Sequence, residues 1–256
     1  MTMKRKLIVA MMSLISVAGF TQEYKLAKST GKLDIKDVND VKIEGYAGKE
    51  VVFTSRNFNQ EEDDRAKGLR AISNTGLEDN TGIGLSVVDN NGVIEVRQLK
   101  KMDGPDVTIK VPQGMEISYT HTSPHGSDVQ LSNVEGAVEI TTVHNDVRLD
   151  KMTGSVKVKT AHGDVDATFS GSIKNPISIS STHGHVDVAL PSSASANVKL
   201  NTSWGEIFVD PTLKFEIEKS GDLVKYNDKL SAKINGGGVE VSLSSTHDNV
   251  YLRKSN

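Results

Sequence analysis

The fold is decided by a phrase that reads Thr160-Ala161-His162-Gly163-Asp164-Val165 and that recurs across residues 142–209. The other clear copies are Thr142-Val143-His144-Asn145-Asp146-Val147, Ser181-Thr182-His183-Gly184-His185-Val186 and Thr202-Ser203-Trp204-Gly205-Glu206-Ile207. With looser copies on both sides, the marker position runs His125, His144, His162, His183, Trp204, Tyr226 and His247, in steps of 19, 18, 21, 21, 22 and 21 residues. Self-similarity at a fixed period of about 20–50 residues is typical of repeat architectures.

Two strands are predicted in each repeat, because apolar residues alternate over short segments. The first strands carry Val129/Leu131, Val147/Leu149, Val165/Ala167, Val186/Val188, Ile207/Val209 and Val250/Leu252, and the second carry Val138/Ile140, Val156/Val158, Ile177/Ile179, Val198/Leu200 and Val241/Leu243. The step from a second strand to the next first strand is always seven residues, whereas the other connection takes nine or twelve. This spacing predicts an all-β, single-stranded β-solenoid (β-helix) of about 18–22 residues per turn, with one fixed corner and one tolerant loop.

The remaining sequence is interpreted as an extension of this coil, so that residues 31–256 form one β-solenoid domain with clear repeats at 119–252. Alternation predicts an N-terminal strand-turn-strand at 33–53, and residues 239–252 are expected to cap the C-terminal end. A polar insertion at 56–80 contains an acidic run that is either a cation site or a solvated surface segment. Neighbouring turns are expected to pair their outward residues Glu139, Lys157, Ser178 and Lys199.

The N-terminus has the layout of a secretory signal peptide. Lys4, Arg5 and Lys6 precede an apolar run at 7–18 that is too short to span a bilayer. Residues 1–18 are therefore predicted to be a signal peptide, with cleavage after Ala18 or as late as residue 21. This predicts export to the periplasm or cell surface. No transmembrane span is expected in the mature chain, since it has no second apolar stretch of that kind.

Composition excludes several classes of protein. The formal net charge is −3 and no basic block is present, so we expect no nucleic-acid partner. The sequence has no cysteine, which rules out disulfides, a thiol nucleophile and a lipid-modified N-terminal cysteine. It also lacks the serine-hydrolase elbow, the phosphate-binding loop and the His-Glu-x-x-His zinc motif.

The chain resembles a family of adhesin-like β-strand-repeat domains of unknown function. The resemblance is carried by the strand-turn-strand at 41–51 and by the phrases Gly163-Asp164-Val165 and Gly154-Ser155-Val156. It implies an exported protein of the bacterial envelope, related to proposed head domains of autotransporter adhesins, and it implies no catalytic residues. This sequence departs from the usual pattern by placing histidine at the corner in several copies.

The corner residues are the candidate site. If the turns stack in chain order, the marker residues and the residues two positions later form two columns, which would contain His144, His162, His183 and Trp204, and Asp146, Asp164, His185 and Glu206. Imidazole and carboxylate groups in proximity can bind a divalent metal ion. The alternative is a structural corner, in which Thr142, Thr160, Thr182 and Thr202 bond local backbone. Trp204, with Phe208 and Tyr251 pointing outward, could stack on sugars or cover a neighbouring turn.

The sequence favours a non-enzymatic structural or adhesin-like module that binds an envelope protein or a glycan through its outer faces. No cofactor is expected, and the oligomeric state is left open. One alternative is a β-helix enzyme acting on polysaccharide, with Asp164/Asp166 or His185/Asp187 as acid and base. The other is an envelope protein that binds metal through the corner histidines.

Overall fold

The computed structural model describes residues 22–55, 65, 69, 72–102, 104–217 and 229–255. The predicted signal peptide at 1–18 and most of the polar insertion at 56–80 lie outside these residues. The described elements are all strands. The first ten are β1 (Gln22–Leu26), β2 (Lys32–Lys36), β3 (Asp40–Tyr46), β4 (Val51–Ser55), β5 (Leu85–Asn90), β6 (Val93–Gln98), β7 (Asp106–Pro112), β8 (Glu116–His121), β9 (Val129–Ser132) and β10 (Val138–Thr142). The others are β11 (Val147–Met152), β12 (Val156–Thr160), β13 (Val165–Phe169), β14 (Ile177–Ser181), β15 (Val186–Leu190), β16 (Ala196–Thr202), β17 (Ile207–Val209), β18 (Phe215–Ile217), β19 (Lys229–Ile234), β20 (Val239–Ser245) and β21 (Val250–Lys254).

These strands form two mixed sheets. Sheet 1 has the order β1-β4-β7-β3-β9-β11-β13-β15-β21-β17, and sheet 2 has the order β18-β19-β16-β20-β14-β12-β10-β8-β2-β6-β5. The all-β prediction is confirmed, whereas the prediction of a single-stranded helix is corrected to two sheets. The reason is that each repeat gives one strand to each sheet, and the inward aliphatic side chains of both sheets meet in one buried core.

The middle of the molecule follows the predicted strand pattern closely. Strands β8, β10, β12 and β14 pair in parallel in sheet 2, and β9, β11, β13 and β15 pair in parallel in sheet 1. The register places Val165 between Val147 and Val186, so inward residues stack on inward residues. Of the predicted inward aliphatics, only Ile207 and Val209 are not fully buried, because both lie in the outermost strand β17.

At the C-terminal end, spatial order departs from chain order. Strands β20 and β21 pair with β14 and β15, and they separate these strands from β16 and β17. The expectation that residues 239–252 form a cap is therefore wrong, since this turn is internal. The turn of β16 and β17 and the turn of β20 and β21 carry the same alternating aliphatic pattern, so either could pair with β14 and β15. Antiparallel β19 then covers the outer side of β16.

A similar insertion occurs at the N-terminal end. Strands β2 and β3 lie between β6 and β7 on one side and β8 and β9 on the other. The predicted strand-turn-strand at 33–53 corresponds to β2, β3 and β4, but β3 and β4 flank β7 and do not pair with each other. Among the described residues, no helix has the length and apolar character needed to cross a membrane.

Candidate functional site

A ladder of buried hydroxyl groups builds the seven-residue corner that leads from sheet 2 to sheet 1. In spatial order it consists of Thr142, Thr160, Ser181, Ser245 and Thr202, each at the end of a sheet 2 strand and each buried. The Ser181 hydroxyl accepts a hydrogen bond from the Gly184 N–H at 2.9 Å and donates one to the Gly163 carbonyl at 2.9 Å. Ser245 and Thr202 likewise fix their own corner and donate to a carbonyl of the adjacent turn, whereas Thr142 and Thr160 bond within their own corner. In the third repeat Ser181 has this role, not Thr182 as predicted.

The corner position after the marker leaves little room for a side chain. A Cβ atom on Gly163 would lie 1.9 Å from the Asn145 carbonyl oxygen, and one on Gly184 would lie 2.2 Å from the Gly163 carbonyl oxygen. These contacts are with backbone atoms, which cannot move independently of the stacked turns. Glycine is therefore the expected residue here, and Asp248 occupies this position in the inserted C-terminal turn.

The marker histidines form a stacked column. Ring centroids are separated by 5.3 Å from His144 to His162, 4.6 Å from His162 to His183 and 4.5 Å from His183 to His247, with interplanar angles of 7°, 2° and 15°. The predicted column of His144, His162 and His183 is thus found, and His247 extends it. Trp204 is not next to His183, because the turn that carries His247 lies between them. The backbone N–H of Trp204 donates to the Thr246 carbonyl of that intervening turn at 3.0 Å.

The second predicted column is held together by its acidic groups. The Asp146 carboxylate accepts the backbone N–H of Asp164 at 2.8 Å, and the Asp164 carboxylate accepts the backbone N–H of His185 at 2.9 Å. Beyond His185, the column continues with Asn249, whose side-chain oxygen accepts the Glu206 N–H at 2.8 Å. Asp146, Asp164 and His185 are therefore consecutive, and Glu206 is separated from them by Asn249.

His185 lies between two carboxylates. Its Nδ1 is 3.1 Å from Asp164 Oδ1, and its Nε2 is 3.1 Å from Asp166 Oδ1. Burial lowers the pKa of His185, but the hydrogen bond that the ring donates to Asp166 and the charges of Asp164, Asp166 and Asp187 raise it, and the net shift is upward. The surroundings of this imidazole thus favour a positive charge.

Asp248 completes a group that was not predicted from the sequence. Asp164, His185 and Asp248 each place a ligand atom within 4.8 Å of the other two, and all three are partly buried. In the sequence, Asp248 is 63 positions from His185 and belongs to a repeat that was expected to lie further away. The aligned copies could have revealed it, since Asp248 stands where three other copies have glycine.

Comparison with known families assigns the chain to a family. A family model described as Toastrack DUF4097 matches residues 21–253. The chain belongs to the Toastrack DUF4097 family. This confirms the predicted membership of an adhesin-like repeat family of unknown function. No curated protein matches the sequence of this Toastrack protein.

Solved structures similar to this Toastrack protein include the following three. A candidate cell adhesion protein from Clostridium sporogenes ATCC 15579 has 14% identity and a TM-score of 0.45, with 92% of this chain and 100% of that chain covered. A candidate adhesin from Bacteroides fragilis NCTC 9343 has 12% identity and a TM-score of 0.32, covering 91% and 96%. A candidate adhesin from Parabacteroides distasonis ATCC 8503 has 9% identity and a TM-score of 0.21, covering 91% and 98%. All three TM-scores lie below 0.5, so the family assignment rests on the sequence match.

An aromatic patch lies near the C-terminal edge of sheet 1 in this Toastrack protein. Trp204 is 78% exposed and Phe208 is 44% exposed. The Phe208 ring stacks on Tyr251 with centroids 5.2 Å apart, and the Arg253 guanidinium lies 5.2 Å from the Tyr251 centroid. Phe208 and Tyr251 thus face outward as predicted, and their rings stack against each other across strands β17 and β21.

Proposed function

We propose that this Toastrack protein is a non-enzymatic, exported module of the bacterial cell envelope that binds a glycan or a protein through the outer faces of its sheets. The parallel pairing of strands about 18–22 residues apart supports a solenoid-like coil with two strands per turn. A regular stack of this kind presents long, rigid outer surfaces. Such surfaces suit a structural or adhesive role.

The observation that carries the proposal is the aromatic patch of Trp204, Phe208 and Tyr251. Aromatic residues make up only 5% of the chain, yet two exposed rings, Trp204 and Phe208, lie close to the same sheet edge as the partly buried Tyr251. Flat aromatic rings stack on the apolar faces of sugars and also anchor protein partners. In the same outward row, Asp187 neighbours Tyr251 and holds the Arg253 guanidinium.

The alternative of a polysaccharide-degrading enzyme is less well supported. The candidate acid-base pairs are already engaged: Asp166 contacts His185, and the Arg253 Nε–H donates one bifurcated hydrogen bond to both carboxylate oxygens of Asp187 at 2.8 Å. Both lie on the outward face of sheet 1, whereas a glycosidase needs two carboxyl groups that face a bound sugar from opposite sides. The non-enzymatic role therefore stays the first proposal.

Binding tests this proposal directly. The full chain and the variants Trp204→Ala and Phe208→Ala are measured against a panel of purified bacterial envelope glycans and envelope proteins. We expect at least one ligand to bind the natural chain and to bind each variant on the order of tenfold more weakly, as for loss of one buried aromatic contact. Val88→Ala is the matched control, because Val88 is 45% exposed in β5, at the far edge of sheet 2. Equal binding by all variants would remove the patch as the binding surface.

Export needs its own test, because the leader at 1–18 lies outside the described residues. Expression of the full chain with a C-terminal tag, followed by cell fractionation and mass spectrometry of the intact protein, gives both the compartment and the cleavage site. We expect the mature protein in the envelope fraction, with its N-terminus between residues 19 and 22. A full-length protein in the cytoplasm would contradict the envelope role.

A further inference from the structure

Two residues depart from the repeat pattern and lie side by side. His185 stands where two preceding copies have Asp146 and Asp164, and Asp248 stands where three copies have glycine. Their turns are direct neighbours, since β15 pairs with β21. A stacked corner favours the same residue type in every turn. Departures that meet in space are therefore expected at functional positions.

The geometry around His185 favours a positive charge, either on the ring itself or on an ion bound to it. A neutral imidazole has one N–H, yet both ring nitrogens face a carboxylate oxygen at 3.1 Å. One nitrogen lone pair would then point at a carboxylate, unless a proton or a metal ion lies between them. A second carboxylate, from Asp248, has an oxygen within 4.8 Å of both a ring nitrogen of His185 and an oxygen of Asp164.

We propose that Asp164, His185 and Asp248 bind one divalent transition-metal ion, with Zn²⁺ as the reference ion. His185 Nδ1 and one oxygen from each aspartate supply three ligands. Open coordination positions remain for water or for a ligand group. Asp166 is the positioning residue, because its carboxylate accepts the Nε2–H of His185 and so keeps Nδ1 free for the ion.

The distances are compatible with one ion. Zinc lies about 2.0–2.2 Å from histidine nitrogen and carboxylate oxygen, so two ligands of one ion are at most about 4.4 Å apart. The Asp164–His185 distance of 3.1 Å already meets this limit. The widest separation in the trio, at most 4.8 Å, exceeds this limit by only about half an ångström.

The neighbouring histidine column does not offer an equivalent site. The rings of His162 and His183 are parallel to within 2° at 4.6 Å, so their in-plane lone pairs run side by side and do not converge. The proposed site therefore differs from the face that the sequence suggested. It uses Asp164 and His185 of that face, excludes the stacked markers, and adds Asp248 from the inserted turn.

Isothermal titration of the full chain with Zn²⁺, after treatment with EDTA, tests the proposal. We expect one ion per chain. The dissociation constant should rise at least tenfold in His185→Asn and in Asp248→Asn, and stay within about twofold of the natural value in His162→Asn, the matched control from the column. Asp248→Gly introduces the glycine that three other copies have at this position, so it should fold normally and still lose the ion. Asp166→Asn should weaken binding less than loss of a ligand.

Circular dichroism of each variant confirms that the fold is retained before binding is compared. The proposal is overturned if the natural chain binds no Zn²⁺ at one ion per chain. It is overturned equally if His162→Asn removes the ion, or if Asp248→Gly and Asp248→Asn both keep it. The outcome does not depend on the adhesive role, because no glycan or protein partner takes part in the titration.

Discussion

The middle of the molecule and its two ends solve the same packing problem in different orders. From β8 to β15, the four turns are stacked on one another in chain order. At the C-terminal end, the turn of β20 and β21 lies between two turns that precede it in the chain. At the N-terminal end, the turn of β2 and β3 lies closer to the middle of the molecule than the turn of β6 and β7, which follows it in the chain. The alternating aliphatic pattern fits every one of these positions.

This difference shows what a repeat pattern encodes. Stacking requires inward residues to meet inward residues, and a slip by one residue would expose the whole core side of a strand. The pattern therefore specifies register within a pair of strands strongly. It does not specify which pair forms when several turns have the same pattern, so neighbour order depends on the connections and on how the outermost strands are covered.

The largest expected effect comes from cross-linking, which reports neighbour order as a yes or no result. The chain has no cysteine, so Ser178→Cys with Ser242→Cys introduces a single pair of thiols. These residues are outward register partners in β14 and β20. Adjacent strands are about 4.8 Å apart, within the Cα separation of about 4.4–6.8 Å that a disulfide needs. We expect near-complete oxidation, measured by mass spectrometry and by mobility under non-reducing conditions.

The matched control for this cross-link is Ser178→Cys with Lys199→Cys. Chain-order stacking would make these two residues neighbours, but β20 lies between their strands, and two strand spacings are about 9.6 Å. We expect no intramolecular disulfide in this variant. A disulfide in the control and none in the first pair would restore the order predicted from the sequence.

The strands and the corner columns could be predicted from the sequence. Which turns lie next to one another at the two ends of the molecule could not. The pairs Val165/Ala167 and Val186/Val188 were sufficient to place β13 and β15, because alternation determines which residues face inward. The proximity of Asp248 to His185 could not be read in this way. It depends on which of two equally patterned turns lies on β15, and that choice reflects long-range packing that no local pattern contains.

Substitution of the corner glycine is expected to have the next largest effect. In Gly163→Ala, the new Cβ would meet the Asn145 carbonyl oxygen at 1.9 Å, so the stacked backbones must separate locally. We expect the free energy of unfolding to fall by about 1–3 kcal/mol, as for overpacked sites. Urea denaturation followed by circular dichroism measures it. Asp248→Gly, at the equivalent position of the inserted turn, should cost less than Gly163→Ala; the opposite ranking would contradict the corner geometry.

Two histidines at opposite ends should give stability a pH dependence of opposite sign. Burial lowers the pKa of His121, although the charges of Asp37 and Asp40 partly offset it. The unfolded chain then binds more protons than the folded chain as pH falls through about 6.5, so His121 reduces stability in acid. The pKa of His185 is raised in the folded state, despite burial, by Asp166 and neighbouring carboxylates. Its contribution is therefore complete below about pH 6.5 and is lost as pH rises through the folded pKa.

Denaturation of metal-free protein between about pH 5 and 8 separates these contributions. His121→Asn should reduce the loss of stability on acidification, and His185→Asn should remove more stability at the acidic end of the range than at the alkaline end. The histidine of the internal N-terminal region thus acts as a buried neutral group, and that of the C-terminal corner acts as a cation. Parallel pH profiles for both variants and the natural chain would contradict both assignments.

The smallest expected effect belongs to the surface ion pairs, which nevertheless distinguish the two orders. Lys157 pairs with Glu139 at 2.7 Å in the middle of sheet 2, as the sequence predicted. Lys199 pairs with Glu240 of the inserted turn at 3.1 Å. A double-mutant cycle with Lys199→Ala and Glu240→Ala should give a coupling energy of about 0.2–1 kcal/mol at low salt, decreasing as salt is added.

The control is a double-mutant cycle between Lys199 and Ser178. It should give no coupling energy, because β20 separates the strands of these two residues. If Lys199 coupled to Ser178 and not to Glu240, the turns at the C-terminal end would be stacked in chain order. Asp248 would then not lie beside His185.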